Sequence, residues 1–451
     1  MVTAFDVHSL NSVPDEKRMG ASLAHVLLKL EEPMREPETW YEATTPRGPL
    51  RAALVGNAQA DTCVIGGGLA GLTTALELAR AGKSVVLLEA RRLAWAASGR
   101  NGGFVANGFA EGLGEIAARV GLDAARALFK LSCAGTEFVR RESTPAIRMG
   151  EGWLAARRYD SGAKLQAQRD AMAGDYGDDR QVLDLAETRA RLNSPRYFQS
   201  LHDPSAFHLH PLRYALLIAD KATAAGVMLH ENSPAIAVEK SLGEWRVRTR
   251  EGVVRTQHVV HCVSALDRHI HAPTGRAVLP VATYIAVTEP LTQDSIRTRS
   301  AVSDSRRAGN YFRLVDAGRI LWGGAITTRV SEPWGLATRM KADMLSVFPQ
   351  LGNPRIDHAW AGLMGYARHK MPIIGGDGEG LWWATAFGGH GMNTTAMAGI
   401  LLARAIAGGD DEFRRFSAFA PQWAGGGFGR AAVQASYWWM QLRDRLDEAG
   451  R

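Results

Sequence analysis

The chain has 451 residues, 46% hydrophobic and 22% charged, a globular balance that excludes a largely disordered protein and, at this length, a single small domain. Its formal charge of +7 invites a polyanion partner, but the basic residues fall in short pairs (Arg91-Arg92, Arg157-Arg158, Arg306-Arg307), so a solvated surface and no nucleic-acid partner are expected. No apolar run approaches the roughly 18 residues of a membrane span, residues 1–18 lack the apolar core of a secretory signal, and Cys63, Cys133 and Cys262 have no metal or disulfide spacing; a cytoplasmic protein with no bound metal is expected.

Residues 1–39 precede the first strong fold signal and read as an extension, with a short amphipathic helix at residues 21–30 between proline-marked loops. Residues 61–65 form a β-rich run, residues 69–80 carry helical apolar spacing closed by Gly82, and residues 84–89 form a second apolar strand. Strand, helix and strand in so short a stretch make a βαβ unit, hence a parallel sheet. Helices are expected over residues 123–141 and 161–173 around a strand at 152–156. A helix over 211–225 follows, then strands at 227–230, 244–250 and 258–263. Residues 278–328 read as an antiparallel sheet with a hairpin at Asp316 to Gly318. A helix at 340–348, a strand at 381–385, a helix at 393–406 and, past Gly425 to Gly427, a last helix at 430–446 complete the chain.

Gly66, Gly68 and Gly71 sit between the first strand and its helix with GxGxxG spacing. The first glycine permits the tight turn, the second lets a pyrophosphate approach the backbone, and the third lets the helix pack on the sheet. The helix N-terminus then offers N–H groups and partial positive charge to the phosphates. Glu89, at the end of the next strand, suits ribose hydroxyls and argues against a 2′-phosphate, leaving FAD or NAD. A second glycine-rich turn, Phe387 to Asn393, again joins a strand to a helix near the other end of the chain. An NAD enzyme does not need two such turns; a flavoprotein uses the second against the pyrimidine edge of the isoalloxazine.

With these segments in view, the sequence resembles the D-amino-acid-oxidase superfamily of FAD-dependent oxidoreductases. Within it, the chain is most similar to the gamma-glutamylputrescine oxidoreductase-like branch. The resemblance runs from Trp40 to Leu446, carried by Trp40 to Thr44, Asp61 to Gly71, Ser98 to Gly103, His208 to Pro211, Asp304 to Arg313, Gly318 to Gly324, Trp360 to Gly362, Phe387 to Met392 and Trp439 to Leu446. It implies an α/β fold: a discontinuous Rossmann-type FAD-binding domain with an inserted substrate domain on a mixed or antiparallel sheet. The expected FAD domain is residues 40–107, 206–275 and 362–423, and the substrate domain residues 108–205 and 276–361. Residues 424–451 are expected to form a helix packed on the FAD domain. The resemblance also implies oxidation of an amine C–N bond to an imine that water hydrolyses, with electrons passed to oxygen or another acceptor.

Cofactor-binding residues are then expected at Gly66, Gly68, Leu69, Ala70 and Gly71, at Glu89, Ala90 and Arg91, across Ser98, Gly99, Arg100, Asn101, Gly102 and Gly103, and across Gly388, Gly389, His390, Gly391 and Met392. No histidine lies in residues 97–103 and no cysteine follows Cys262, so FAD is expected to be non-covalent. His390 is expected to touch flavin or substrate, or to shape its turn, and Arg100 to lie by the active site. Tyr284, Tyr311 and Arg313 are expected in the substrate sheet, where Arg313 either pairs with a substrate carboxylate or makes a structural ion pair. His208 and His210 read as packing residues. Members like glycine oxidase hold a substrate carboxylate with arginines at places occupied here by Met364 and Gly389, which disfavours a simple α-amino acid and favours a longer amine. Two alternatives stand beside this reading: a flavin dehydrogenase of a cyclic or N-alkyl amino acid that reduces a carrier or quinone, and a nucleic-acid-associated flavoprotein. An NAD-dependent dehydrogenase is a third.

Overall fold

A computed structural model describes residues 39–266, 270–291, 295–307 and 309–449; the helix expected at residues 21–30 lies outside them. Two sheets organise the chain. The first has eight strands. Five run parallel in the spatial order Met228–His230, Val85–Leu88, Gly56–Ile65, Gly252–His261 and Leu381–Thr385, with Ile373–Gly376 antiparallel at one edge. A hairpin, Ala237–Ser241 and Glu244–Arg248, branches from Gly252–His261.

The central strands read as nearly continuous apolar runs because both faces are covered. Val64, Val85, Leu87 and Val260 face a core shared with the helices Leu69–Arg80, Pro211–Ala224 and Gly391–Gly408, whereas Cys63, Ile65, Val86 and Val259 face a core closed by Trp245 and Val247 of the hairpin. After Gly56–Ile65 the chain passes to Val85–Leu88 on one side, while Gly252–His261 lies on the other. The carboxyl end of Gly56–Ile65 is therefore a switch point, where open α/β sheets hold their ligands.

The second sheet has nine strands, in the order Ile356–Tyr366, Leu279–Thr288, Arg319–Thr327, Tyr311–Val315, Ala301–Asp304, Arg148–Ala156, Ser200–Leu209 and Phe104–Val105, with Gln181–Leu183 beside Ser200–Leu209. Its pairs are antiparallel except Ala301–Asp304 with Arg148–Ala156, so the sheet is mixed. Strand alternation divides its side chains. Ile285, Val287, Leu321 and Trp360 join the core of the first sheet's helices, whereas Tyr284, Phe312, Leu314 and Trp322 pack under the helix Leu336–Val347.

Three boundaries differ from the sequence expectation. The chain joins the second sheet at Phe104 and leaves it at Leu209, because Phe104 pairs with His208, so the crossovers lie at Gly103 and His210 rather than at 107 and 206. The strand Ser200–Leu209 escapes the periodicity because Pro204 interrupts it, and Ile356–Tyr366 runs four residues past Gly362 in the second sheet. The last helix, Gly426–Ala449, was expected against the nucleotide-type domain but lies on the second sheet. Arg307 reaches Asp444 and Asp447, Arg306 reaches Glu448 at 2.7 Å, and Gln434 Oε1 accepts from Thr327 Oγ1 and from Thr328 N. These ionic partners come from residues 306–307 of a loop between strands, which helical spacing does not reveal.

Candidate active site

Two glycine turns converge on one edge of the first sheet, because each follows the carboxyl end of a parallel strand. After Gly56–Ile65, Gly66 adopts φ +108°, which L side chains rarely reach, and a Cβ there would stand 2.8 Å from Cys262 O. A Cβ on Gly71 would collide with Gly66 O, so the helix Leu69–Arg80 sits directly on the turn. Its N-cap, Gly68, makes no side-chain cap bond, while Leu69 N donates to Ser98 Oγ at 2.9 Å. The helix N-terminus thus presents, at the end of the strand, backbone donors that a helix cannot satisfy itself, a cradle of the shape and polarity that a pyrophosphate fits.

Glu89 closes this cradle. Its Oε2 accepts from Gly67 N at 2.7 Å and its Oε1 from Arg91 N at 2.8 Å. Burial raises its pKa, while those backbone donors oppose the rise. Each oxygen keeps a lone pair for a ribose hydroxyl. The Arg91 guanidinium lies over the Trp95 ring at 4.3 Å.

Ser98 to Gly103 form a rigid loop beginning with the short helix Ala97–Arg100. Asn101 caps it: Nδ2 donates to Ala97 O and Ser98 O, and Oδ1 accepts from Gly103 N at 2.7 Å. Trp360 Nε1 donates to Arg100 O at 3.0 Å, and Arg100 Nε donates to Trp95 O with its guanidinium over the indole. Arg100 is 8% exposed.

The second turn follows Leu381–Thr385 and starts the helix Gly391–Gly408. Tyr366, at the end of its strand, clamps it: a Cβ on Gly388 would stand 2.7 Å from the Tyr366 ring, and one on Gly389 would stand 3.1 Å from the hydroxyl. The two turns are locked together by their helices, since a Cβ on Gly399 would meet Thr73 at 2.8 Å. Met392 is buried in the first turn of its helix.

His390 projects from this turn into a cavity of about 530 Å³. Trp153 stands beside it at 5.9 Å, and Asn107, Gly108, Phe109, Met172 and Leu201 form much of the wall. Desolvation, helped by the charge of Arg180, pushes the His390 pKa down to about 4, so its imidazole is neutral at pH 7.

Arg313 was expected to meet a substrate carboxylate or a structural acid, and it does neither. It is 1% exposed, and its donors end on neutral groups: Nε on Gly102 O at 2.7 Å, Nη2 on Tyr41 Oη at 3.1 Å and Leu209 O at 3.0 Å, and Nη1 on His208 Nδ1 at 3.0 Å. Because a guanidinium can only donate, His208 Nδ1 accepts and its Nε2–H donates to Arg299 O at 2.8 Å. Burial and Arg313 together hold the His208 pKa near 3. His210 caps the helix Pro211–Ala224, accepting from Arg213 N, and also stays neutral, with a pKa near 3.

Tyr284 is likewise displaced from the site. It points under the helix Leu336–Val347, with its hydroxyl 3.4 Å from Ser331 O, because strand alternation sends Thr283 and Ile285 the other way. Tyr311 does face the glycine loop: its ring lies across Gly323 and approaches Gly102, and its edge meets Phe104 at 5.5 Å. Lys370 is a solvated residue paired with Glu111 at 3.3 Å.

Four contributors were not singled out as site residues by the sequence. Tyr41 Oη donates to Asn101 O at 2.8 Å and so binds the N-terminal Trp40–Ala43 helix to the glycine loop. Trp153, Asn107 and Arg180 line the cavity from the second sheet and its insertions, with no motif to announce them. No helix among the described residues is long and apolar enough to cross a membrane.

Comparison with known proteins agrees with this geometry. A family model described as "FAD dependent oxidoreductase" (DAO) matches residues 61–405. A probable oxidoreductase OrdL of Haemophilus influenzae is 34% identical over 370 residues, covering 79% of this chain and 85% of that protein. The gamma-glutamylputrescine oxidoreductase of Escherichia coli is 31% identical over 404 residues, covering 86% of this chain and 93% of that protein. Among solved structures, L-proline dehydrogenase from P. horikoshii superposes with TM-score 0.67 at 20% identity, over 82% of this chain and 100% of that one. Glycine oxidase from Bacillus cereus gives TM-score 0.64 at 20% identity, over 78% and 96%.

Proposed function

Because this chain belongs to the DAO family of FAD-dependent oxidoreductases, we propose that it oxidises the C–N bond of an extended amine, of the gamma-glutamylputrescine kind, to an imine that water hydrolyses, with oxygen as the final electron acceptor. The observation that carries this reading is the cavity lined by His390: a neutral imidazole with Trp153 and Phe109 in the wall, on the turn that a flavin's pyrimidine edge would meet.

Gly66 to Gly71 and the first turn of Leu69–Arg80 would hold the pyrophosphate, Glu89 the ribose, and Ser98 to Gly103 with Gly388 to Met392 the flavin. FAD, when bound, supplies the two-electron acceptor for a hydride from the carbon beside the nitrogen.

The chain's own work is positioning and exclusion of water. Trp153 and Phe109 wall the cavity and dehydrate the amine, which favours its neutral form, the form with a lone pair to donate. The unprotonated ring nitrogen of His390 accepts a hydrogen bond from the amine N–H and so aims that lone pair. A pKa near 4 suits it to this acceptor role rather than to carrying the proton away, which goes to solvent.

The test is anaerobic titration of the purified yellow protein with gamma-glutamylputrescine, other N-substituted amines, and cyclic and linear amino acids. Bleaching of the flavin band by an extended amine supports the proposal. Bleaching only by a cyclic or N-alkyl amino acid overturns the substrate class. Admission of air then separates reoxidation by oxygen from a need for a carrier or quinone.

A further inference from the structure

The cavity at His390 is larger than a small amine requires, and about 530 Å³ lies within the roughly 300–1,000 Å³ range of pockets that enclose drug-sized ligands. Its lining includes none of the residues 66–71 or 98–103, so it is space beside the cofactor cradle rather than the cradle itself.

Among the described residues, one cation lines it. The Arg180 side chain is 19% exposed, and its Nε lies 3.3 Å from Asp178 Oδ1 and 3.5 Å from Asp203 Oδ2. Those carboxylates pair with the guanidinium by charge, without a hydrogen bond to its Nε. The terminal Nη1 and Nη2 make no hydrogen bond to any described residue, and Arg180 is near enough to His390 for its charge to depress that imidazole. Asp203 is also half committed: Oδ1 accepts from Ser205 N, Ser205 Oγ and Ala206 N, which leaves Oδ2 facing only Arg180. A guanidinium whose four Nη N–H donors are unused matches a carboxylate, and Asp203 Oδ2 beside it, which accepts no hydrogen bond and is held by the 3.5 Å ion pair alone, matches an ammonium.

We infer that Arg180 and Asp203 form a distal subsite for a zwitterionic α-amino-acid head, carried by a substrate whose other end presents the reacting amine at His390. The inference deepens the proposed function and rests on it for the reacting end. Arg180 binds the α-carboxylate through its Nη edge, and Asp203 Oδ2 receives the α-ammonium. Specificity for a two-headed amine over a small amino acid follows, because only a molecule with both heads engages Arg180 and Asp203 while its amine meets His390. Alone, the two acids around Arg180 repel a simple anion; a head that brings its own ammonium restores the balance.

The test uses the FAD-loaded enzyme and calorimetric titration with γ-glutamyl-n-butylamide, which has the head but no reacting amine, and with its α-carboxamide. The wild type should bind the acid at least ~10-fold more tightly than the carboxamide. Arg180→Gln should weaken the acid about 30-fold and bind both alike, and Arg180→Lys should recover part of the preference, while both variants keep the wild-type flavin spectrum. An equal loss for acid and carboxamide, or no preference in the wild type, overturns the subsite. Anaerobic bleaching by gamma-glutamylputrescine is scored separately: binding preference without bleaching defeats the amine oxidation and leaves the subsite, whereas bleaching without preference does the reverse.

Discussion

Arg313 Nε donates to Gly102 O at 2.7 Å, so a buried guanidinium from the second sheet holds the glycine loop proposed to meet the flavin. Tyr41 joins them by accepting from Arg313 Nη2 and donating to Asn101 O. The loop is thus positioned by a lattice of charge-assisted bonds to neutral acceptors, with no carboxylate to balance the cation.

Arg313→Gln leaves Leu209 O, Gly102 O, Tyr41 Oη and His208 Nδ1 short of donors in the interior. It should cost about 3 kcal/mol or more of stability and reduce retained FAD, read by thermal unfolding and by flavin content after gel filtration. A variant that is stable and fully loaded, yet has a raised KM alone, would return Arg313 to the substrate-binding role that its burial denies.

The glycines of the first turn should separate by what a methyl would meet. Gly71→Ala drives a Cβ into the Gly66 carbonyl and should prevent a FAD-loaded fold. Gly68→Ala meets only Ser98 Oγ at 2.9 Å, a side chain that can rotate, so this protein should fold but bind FAD more weakly. Ser98→Ala should restore part of the loss in Gly68→Ala by removing that oxygen. Absorbance titration of apoprotein with FAD orders the three.

Stability should fall as pH drops below about 6.5. His208 and His210 are neutral in the fold, with pKa values near 3, and His390 near 4, whereas an unfolded histidine titrates near 6.5. Between those limits the unfolded chain binds more protons, so acidification favours it, by about 1.4 kcal/mol per pH unit for a buried group such as His208. Melting temperatures from pH 8 to 5 should be level above 7 and decline below 6.5. The activity profile should show no break from His390 between pH 6 and 8 and should rise with pH as the substrate amine loses its proton.

Asp304 and Arg158 form a buried pair at 2.6 Å beneath the last helix, with side-chain exposures of 0% and 4%. Asp304→Ala leaves the buried Arg158 only Glu448 at 3.6 Å and should cost about 3 kcal/mol, whereas Arg307→Ala, which removes a partly exposed guanidinium but keeps the Arg307 N bond to Asp444, should cost less, about 1 kcal/mol. Denaturant midpoints with unchanged slopes would measure both.

The nucleotide half of the fold was legible because its signals are local. A strand, three glycines, a helix and an acid follow one another within residues 61–89, and each one's role is set by its own backbone. The turn at His390 was legible for the same reason. Arg313 and Tyr284 were misplaced because a strand residue's use depends on its face and on the layer opposite: Tyr284 alternates away from the site, and Arg313 alternates toward a layer that already supplies neutral acceptors. Arg180 had no motif: Asp178 is its neighbour in sequence, but Asp203 and His390, which give the pair its place in the cavity, are distant and meet it only through tertiary packing.

The sequence by itself therefore determined the strand, glycine turn and helix of residues 56–80, since glycine conformations and a helix N-terminus act over a few residues and need no partner to be recognised. Only the tertiary structure decided which polar side chains are engaged and which remain free, because that depends on donors and acceptors brought together from both sheets. Arg313 is satisfied in the interior, whereas Arg180 lines the cavity with terminal nitrogens that make no hydrogen bond to a described residue.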